Sequence, residues 1–274
     1  MDKKYVNNKC PFCNYSIIKY FNLNWRNILK KPSFENNRQN IFYCKKCTNA
    51  WTIPKPGNID YYSNDFHENL NIQSIDDLPR QWRKAIKMQV NIISNNVNNN
   101  AKIVEIGCGK GLLLNELKNV PFDVTGIEIS KSACKYLKTK GVNVYNAEFP
   151  SFEIDNKYDL VIASHVLEHV ENTDEFIKKV KEILKIDGYV LFIQTNWKGL
   201  MPRLKRGSWY GWVMEQHYWH FTTMGMINYL EKYNFELKKL EYTSLEHNNS
   251  LLSVLGEFIP GFGDQFHLLM KLKS

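Results

Sequence analysis

The sequence predicts an α/β fold: a parallel sheet covered by helices on both faces, with a small cysteine-bearing unit in front. Three observations predict it. From residue 102 onward, short apolar runs alternate with amphipathic helical patterns, as in strands joined by crossovers. One such run ends in the closely spaced glycines Gly107, Gly109 and Gly111, ahead of a helix. Two C-x-x-C pairs, Cys10/Cys13 and Cys44/Cys47, precede the break at Pro54-Lys55-Pro56-Gly57. The expected division is 1–57, a linker and lead-in helix over 58–100, and a main domain over 101–274. A chain of 274 residues suffices for one large domain with a small attachment.

The elements follow in order. Leu78, Trp82, Ile86, Val90 and Ile93 recur at helical spacing and predict an amphipathic helix over 77–95, with Asp76 or Asp77 as its cap. A polar tract over 95–100 ends it. Strands are expected at 102–106, 123–129, 142–145, 160–163 and 189–194. Helices are expected at 112–118, at 131–140 closed by Gly141, and at 173–184 stopped by Asp187-Gly188. The tail adds a helix over 222–233, capped by Thr222 or Thr223. Two strands, 235–242 and 265–272, are suited to antiparallel pairing.

Hydrophobic residues make up 43% and charged residues 23%, which supports an ordinary core and excludes a wholly disordered chain. No apolar run reaches the roughly 18 residues of a membrane span. Residues 1–10 are charged with no apolar stretch behind them, unlike a secretory leader. A cytoplasmic protein with no membrane contact is expected. The net charge of +8 admits a polyanionic partner. However, the lysines are spread along the chain and the longest basic cluster is only Arg203, Lys205 and Arg206. Nucleic acid is therefore not the expected partner.

A strand running into glycines and then a helix lets the backbone approach a nucleotide-like ligand. The dinucleotide fingerprint G-x-G-x-x-G, started at Gly107, needs glycine at 112, where Leu112 stands. A carboxylate at the tip of the next strand, Glu128, can accept ribose hydroxyls.

The stretch Val104-Glu105-Ile106-Gly107-Cys108-Gly109-Lys110-Gly111, read as E-x-G-x-G-x-G, resembles motif I of the class I S-adenosylmethionine-dependent methyltransferases. The resemblance implies a Rossmann-like seven-stranded domain that binds S-adenosylmethionine. Glu105, Gly107, Cys108, Gly109 and Gly111 would contact the donor, with Glu105 facing its ammonium. Glu128 would hold the ribose and Asn146 would face the adenine, with Ile129 and Ala147 also among the donor-binding residues. Ser164-His165-Val166-Leu167-Glu168-His169-Val170 resembles the "hvlEHv" segment of a superfamily that includes ubiquinone-pathway and sugar methyltransferases. This places Ser164 and His165 at the pocket edge and gives His169 a structural role. The Asn/Asp-Pro-Pro-Tyr/Phe motif of base amino-methylation does not follow the fourth strand, which favours oxygen or carbon acceptors.

Two C-x-x-C knuckles together form a tetrahedral four-cysteine zinc site with no open position, hence a structural one. The spacer 14–43 is longer than in common ribbons and implies an inserted hairpin or helix. A redox dithiol, the rival reading, needs only one such pair. A zinc segment ahead of a class I domain is similar to sugar C-methyltransferases acting on nucleotide-linked deoxysugars. It is also similar to a ribosomal-RNA guanine methyltransferase group, in which one cysteine is typically histidine.

Residues 208–221 are aromatic and polar, and the end, His217-Tyr218-Trp219-His220-Phe221-Thr222, resembles the superfamily's "EH..HFS/T" segment. An alcohol or enolisable carbon must lose a proton to attack a methyl group, and histidine suits that task. His217 is the expected base and His220 the second choice, with Tyr218 or Glu215 orienting. For His220 a packing role weighs more. Tyr61 and Tyr62 would close over the acceptor. The expected function is methyl transfer to a small polar acceptor, a sugar or nucleotide-linked sugar. RNA methylation and non-catalytic binding are the rival readings.

Overall fold

The computed structural model describes residues 9–16, 18–22, 40–53, 72–212, 216–245, 259 and 261–274. The Pro54–Gly57 break, Tyr61, Tyr62 and Glu215 lie outside the described residues.

The central sheet comprises β4 (Lys102–Ile106), β5 (Asp123–Glu128), β6 (Asn143–Asn146), β7 (Tyr158–Ser164), β8 (Leu184–Thr195), β10 (Phe235–Thr243) and β11 (Gln265–Leu272). Its order is β10-β11-β8-β7-β4-β5-β6. The pairs β8–β7, β7–β4, β4–β5 and β5–β6 are parallel, while β11 runs antiparallel to β8 and to β10. The chain thus proceeds from β4 outward through β5 and β6, then returns to the other side of β4 as β7. The carboxyl ends of β4 and β7 flank this reversal, where sheets of this kind bind ligands.

β4 and β7 are buried on both faces over most of their length, which is why they read as largely apolar runs. One face packs on α1 (Arg80–Asn96), α2 (Leu112–Leu117) and α3 (Lys131–Thr139), through Ile86, Ile93, Leu113, Leu114 and Leu137. The other packs on α4 (Thr173–Ile183) and α6 (Thr223–Glu231), through Phe176, Ile177, Val180 and Met226. Side-chain caps start these helices: Asn172 accepts from Glu175 N, Ser130 from Ala133 N and Thr222 from Gly225 N. A short helix, α5 (Leu200–Lys205), follows β8.

A second, antiparallel sheet has the order β1 (Ile18–Asn22), β2 (Asn40–Cys44), β3 (Ala50–Ile53) and β9 (Trp219–His220). Its fourth strand comes from the far part of the chain: Ala50 pairs with His220 and Trp51 with Trp219. Phe12 from the first knuckle inserts edge-on among Trp219, Phe221 and Tyr229, with ring centroids 5.1, 5.6 and 5.2 Å away. The cysteine unit therefore shares one core with the α4/α6 face.

Two local expectations need correction. Asp76 and Asp77 do not cap α1. They belong to a 3-10 turn, Ile75–Asp77, whose cap Ser74 accepts from Asp76 N, and Asp77 accepts from Gln73 N and Ser74 N. α1 starts after Pro79, which supplies no side-chain cap. Nor do Asp187 and Gly188 stop the helix before β8. That helix closes at Ile183 and β8 begins at once. Asp187, with φ 60°, lies inside β8, whose register on β7 shifts between Tyr158 and Leu160.

Candidate active site

The glycine loop is a cradle that side chains would fill. Gly107, Gly109 and Gly111 have φ of 65°, 51° and 67°. A Cβ on Gly107 would sit 2.7 Å from Val166 Cγ2, and one on Gly111 2.3 Å from Leu137 Cδ2. β5 anchors the loop: Gly107 N donates to Ile127 O at 2.8 Å, and Gly109 N to Glu128 Oε2 at 2.7 Å. Beside it opens a cavity of about 260 Å³ lined by Glu105, Gly107, Cys108, Gly109, Ser164 and His165. Trp82 and Gln89 of α1 and Gln265 of β11 also line it.

Glu105 is the electrostatic feature of this cavity. Its Oε2 is buried without a hydrogen-bond partner among the described residues. Burial, reinforced by the nearby Glu128 charge, raises its pKa to about 8. A buried carboxylate without a cation suits a ligand bearing an ammonium group. The fit to S-adenosylmethionine rests on this orphaned oxygen and on the glycine cradle. Cys108 is a neutral thiol, its pKa pushed well up by burial and by the Glu105 and Glu128 charges.

The other expected donor contacts lie at the tips of β5 and β6, with Glu128 bonded to Gly109 of the cavity lining. Glu128 spends one oxygen on Gly109 N and the other on Ser130 N. Each carboxylate oxygen has a second lone pair to offer. Asn146 Nδ2 donates to the carbonyls of Glu128 and Ile129, at 3.0 and 2.9 Å, and Ala147 N donates to Glu128 O. These residues form a clasp joining the tips of β5 and β6.

The turn after β7 holds the second group. His165 has the left-handed φ of 53° and is one of the cavity-lining residues. Its Nδ1 lies 3.2 Å from Glu168 Oε1 and its Nε2 2.7 Å from Gln265 Nε2. Burial alone would raise the pKa of Glu168, but the hydrogen bond from His165 and the charges of His165, His169 and His217 outweigh it, so the carboxyl is held well below its ordinary value.

The expected catalytic residues His217, Tyr218 and His220 are placed away from the cavity lining. His217 is 5% exposed, with its ring edge-on to His169 at 4.6 Å. Burial, then the His169 charge, pushes its pKa well down. His220 contacts Thr52 Oγ1 of β3 through Nε2 at 2.9 Å and packs on Trp212; burial lowers its pKa to about 3. Tyr218 N donates to Glu168 O, and Thr52 N to Tyr218 O. His169 faces the Gln216 carbonyl through Nδ1 at 3.2 Å, as a structural residue would. This segment thus ties the cysteine sheet to the turn after β7.

The four cysteine sulfurs lie within 4.8 Å of one another. The close pairs, Cys10–Cys47 and Cys13–Cys44, are 3.5 Å apart and run across the two knuckles. A disulfide needs about 2.05 Å. A four-thiolate zinc site with bonds of about 2.3 Å needs sulfurs about 3.8 Å apart. The residue after each knuckle, Asn14 and Thr48, is left-handed, at φ 60° and 64°. The cysteine cluster therefore fits a tetrahedral metal ion.

Gln265, Thr243, His267 and Glu168 were not singled out from the sequence as site residues. A signal existed for two of them: Gln265 and His267 alternate on one face at the start of a strand whose next three residues, Leu268–Met270, are apolar.

With this geometry in view, comparison with known proteins assigns the class. A family model described as a methyltransferase domain matches residues 66–240, and the chain belongs to that family. It resembles the ubiquinone biosynthesis O-methyltransferase of Rickettsia typhi, with 30% identity over 140 residues, 49% of this chain and 52% of that one. It likewise resembles the enzyme of that name from Pelagibacter ubique, with 30% identity over 155 residues, 52% and 64% of the two chains. The chain thus spans about half the length of the curated relatives it matches. Among solved structures, its fold is similar to that of a SAM-dependent methyltransferase from Thermotoga maritima, described as a possible histamine N-methyltransferase. The TM-score is 0.53 at 20% identity, covering 69% of this chain and 89% of that one. It is also similar to the N-methyltransferase NodS from Bradyrhizobium japonicum, solved with S-adenosylhomocysteine: TM-score 0.51, 14% identity, 71% and 89% coverage. No helix among the described residues is long and apolar enough to cross a membrane.

Proposed function

We propose that the chain transfers the methyl group of S-adenosylmethionine to an oxygen or carbon of a small polar acceptor, and that its four cysteines hold a structural zinc ion. The unpartnered Glu105 oxygen beside the glycine cradle carries this reading. When bound, the donor supplies a methyl group on a sulfonium, ready for in-line displacement. Glu105 would pair with its ammonium, the loop backbone would pass close beneath it, and α1 would limit access of water.

A hydroxyl acceptor is supported by the relatives named O-methyltransferases. A sugar or nucleotide-linked sugar rests on the cysteine pairs and the 208–221 segment alone, so it is the narrower part of the proposal. The test is calorimetric titration with S-adenosylhomocysteine, followed by a radiolabelled-methyl screen of nucleotide sugars and of other small hydroxylated acceptors. Micromolar binding and methyl uptake by either set are expected. No binding of S-adenosylhomocysteine, alongside clear binding of NAD, would refute the reading.

A further inference from the structure

We propose that His165, oriented by Glu168 and Gln265, is the group that accepts the proton of the methyl acceptor; this rests on the methyl-transfer reading above. A chain of side-chain hydrogen bonds fixes its tautomer. Thr243 Oγ1 donates to Gln265 Oε1 at 2.9 Å. The Gln265 amide is therefore turned so that its N–H donates to His165 Nε2 at 2.7 Å. His165 must then carry its own proton on Nδ1, which it gives to Glu168 Oε1 at 3.2 Å. At the far end Thr243 has spent its proton, so His267 Nε2–H donates to it at 2.9 Å. Every donor in this relay points toward Glu168.

Its consequence is a basic lone pair on Nε2 of the imidazole that lines the cavity. A buried carboxylate on Nδ1–H is the arrangement that holds an imidazole in position and stabilises its protonated form. His165 also has the accessibility the role requires. Its side chain is 28% exposed, against 1% for that of Glu168, and the residue sits in a left-handed conformation that the turn imposes. It stands at the end of β7, beside the β4 loop expected to hold the donor. His217 is sealed behind it.

The acceptor hydroxyl takes the place of the Gln265 N–H at Nε2 and gives its proton there. The oxygen bonds to the methyl carbon as the carbon–sulfur bond breaks. The bonding pair stays on sulfur, which becomes a neutral thioether. The imidazolium sits against Glu168 and releases its proton to water. Once protonated, its Nε2–H opposes the Gln265 N–H, which favours that release. The ionisable groups around His165 are Glu168, His169 and His217 on the turn side, His267 from β11, and Glu105 and Lys110 across the cavity.

Two experiments test this. In the first, the intact protein is treated with diethyl pyrocarbonate and mapped by peptide mass spectrometry. Among the five described histidines, His165 is expected to react first, and S-adenosylhomocysteine to slow it at least fivefold. Glu168→Gln should slow it further in the free protein. Faster modification of His217, or indifference to Glu168→Gln, overturns the proposal without touching the donor reading, which calorimetry measures separately. In the second, on the acceptor returned by the screen, His165→Gln should lower kcat by about 10²- to 10⁴-fold. KM and S-adenosylhomocysteine affinity should stay within threefold. The acid limb of the pH–kcat profile should vanish. An acid limb that survives His165→Gln but disappears in His217→Gln overturns it.

Discussion

Two glutamates lie buried at neighbouring strand ends, one held neutral and the other ionised. Glu105, on β4, is 5% exposed and Glu168, in the turn after β7, is 1% exposed. Burial pushes both toward the neutral form. At Glu105 burial is reinforced by the charge of another carboxylate, Glu128, so the pKa rises to about 8. At Glu168 the neighbours are imidazoles and His165 donates directly, so the carboxyl stays ionised. The difference is whether the protein supplies its own hydrogen-bond donor to the carboxyl group. On the β7 side His165 already serves Glu168 Oε1, although Glu168 Oε2, like Glu105 Oε2, is buried without a hydrogen-bond partner among the described residues. The β4 side has a counter-ion position left for a ligand.

The two sides also differ in what props them up. The 216–222 segment, which backs Glu168, is sewn to the cysteine sheet. Thr52 N donates to Tyr218 O, Thr222 N donates to Asn49 Oδ1, and Thr48 and Thr222 share a hydroxyl contact of 2.7 Å. The glycine loop is anchored instead on β5. Breaking the cysteine cluster should therefore separate the two sides, with the largest effect of any change considered. Treatment with a chelator, or Cys44→Ser, is expected to lower the melting temperature by more than about 10 °C if the proposed zinc is bound. S-adenosylhomocysteine affinity at 20 °C should fall less than tenfold. Calorimetry reads both quantities, and an equal collapse of binding would mean the two sides are one unit.

A smaller change should couple them deliberately. Gly107→Ala places a methyl group at a positive φ and against Val166, the residue after His165. Strain of this kind costs about 1–3 kcal/mol. The expected result is S-adenosylhomocysteine binding weaker by roughly tenfold to a hundredfold. Val166→Ala in the same chain should restore part of the loss, by removing the contact but not the backbone strain. Independent, additive effects of the two substitutions would refute that coupling.

How much of this was legible in the sequence follows the same division. The β4 side was spelled out locally: strand, glycines and Glu105 are contiguous, and Leu112 excluded a dinucleotide fingerprint. The four cysteines were equally plain. The β7 side was not, because its logic is long-range. Gln265 reaches His165 across a separation of 100 residues, and Thr243 and His267 extend the relay from two further strand positions. His217 looked chemical because its neighbours are polar and aromatic. Its burial comes from the two-residue β9 entering the cysteine sheet, too short to leave a period. Gly225 lies inside the helix Thr223–Glu231. A Cβ there would lie 2.1 Å from Asn49 Oδ1 and 2.4 Å from Cys47 O, so the glycine admits the second knuckle.

The smallest expected effect is also the most direct test of the comparison between the glutamates. In the ligand-free protein Glu105 titrates near 8, against an ordinary value of 4.5. Between those values the unfolded chain has lost the proton and the folded one keeps it, so this group makes the fold less stable as pH rises through that window. An ammonium-bearing ligand should need the ionised form. Binding near pH 7 should therefore release a proton from Glu105, and affinity should rise with pH by up to about tenfold per unit, levelling off near 8. Titrating S-adenosylhomocysteine in phosphate and in Tris, whose ionisation enthalpies differ, measures that proton directly. Glu105→Gln should abolish the release, flatten the pH dependence of stability over the same window, and weaken binding by about tenfold at pH 8. Glu168→Gln should leave proton release intact, because that carboxyl is already ionised. If binding releases no proton in the unmodified protein, Glu105 is not the counter-ion, and the contrast between the two strand ends loses its functional meaning.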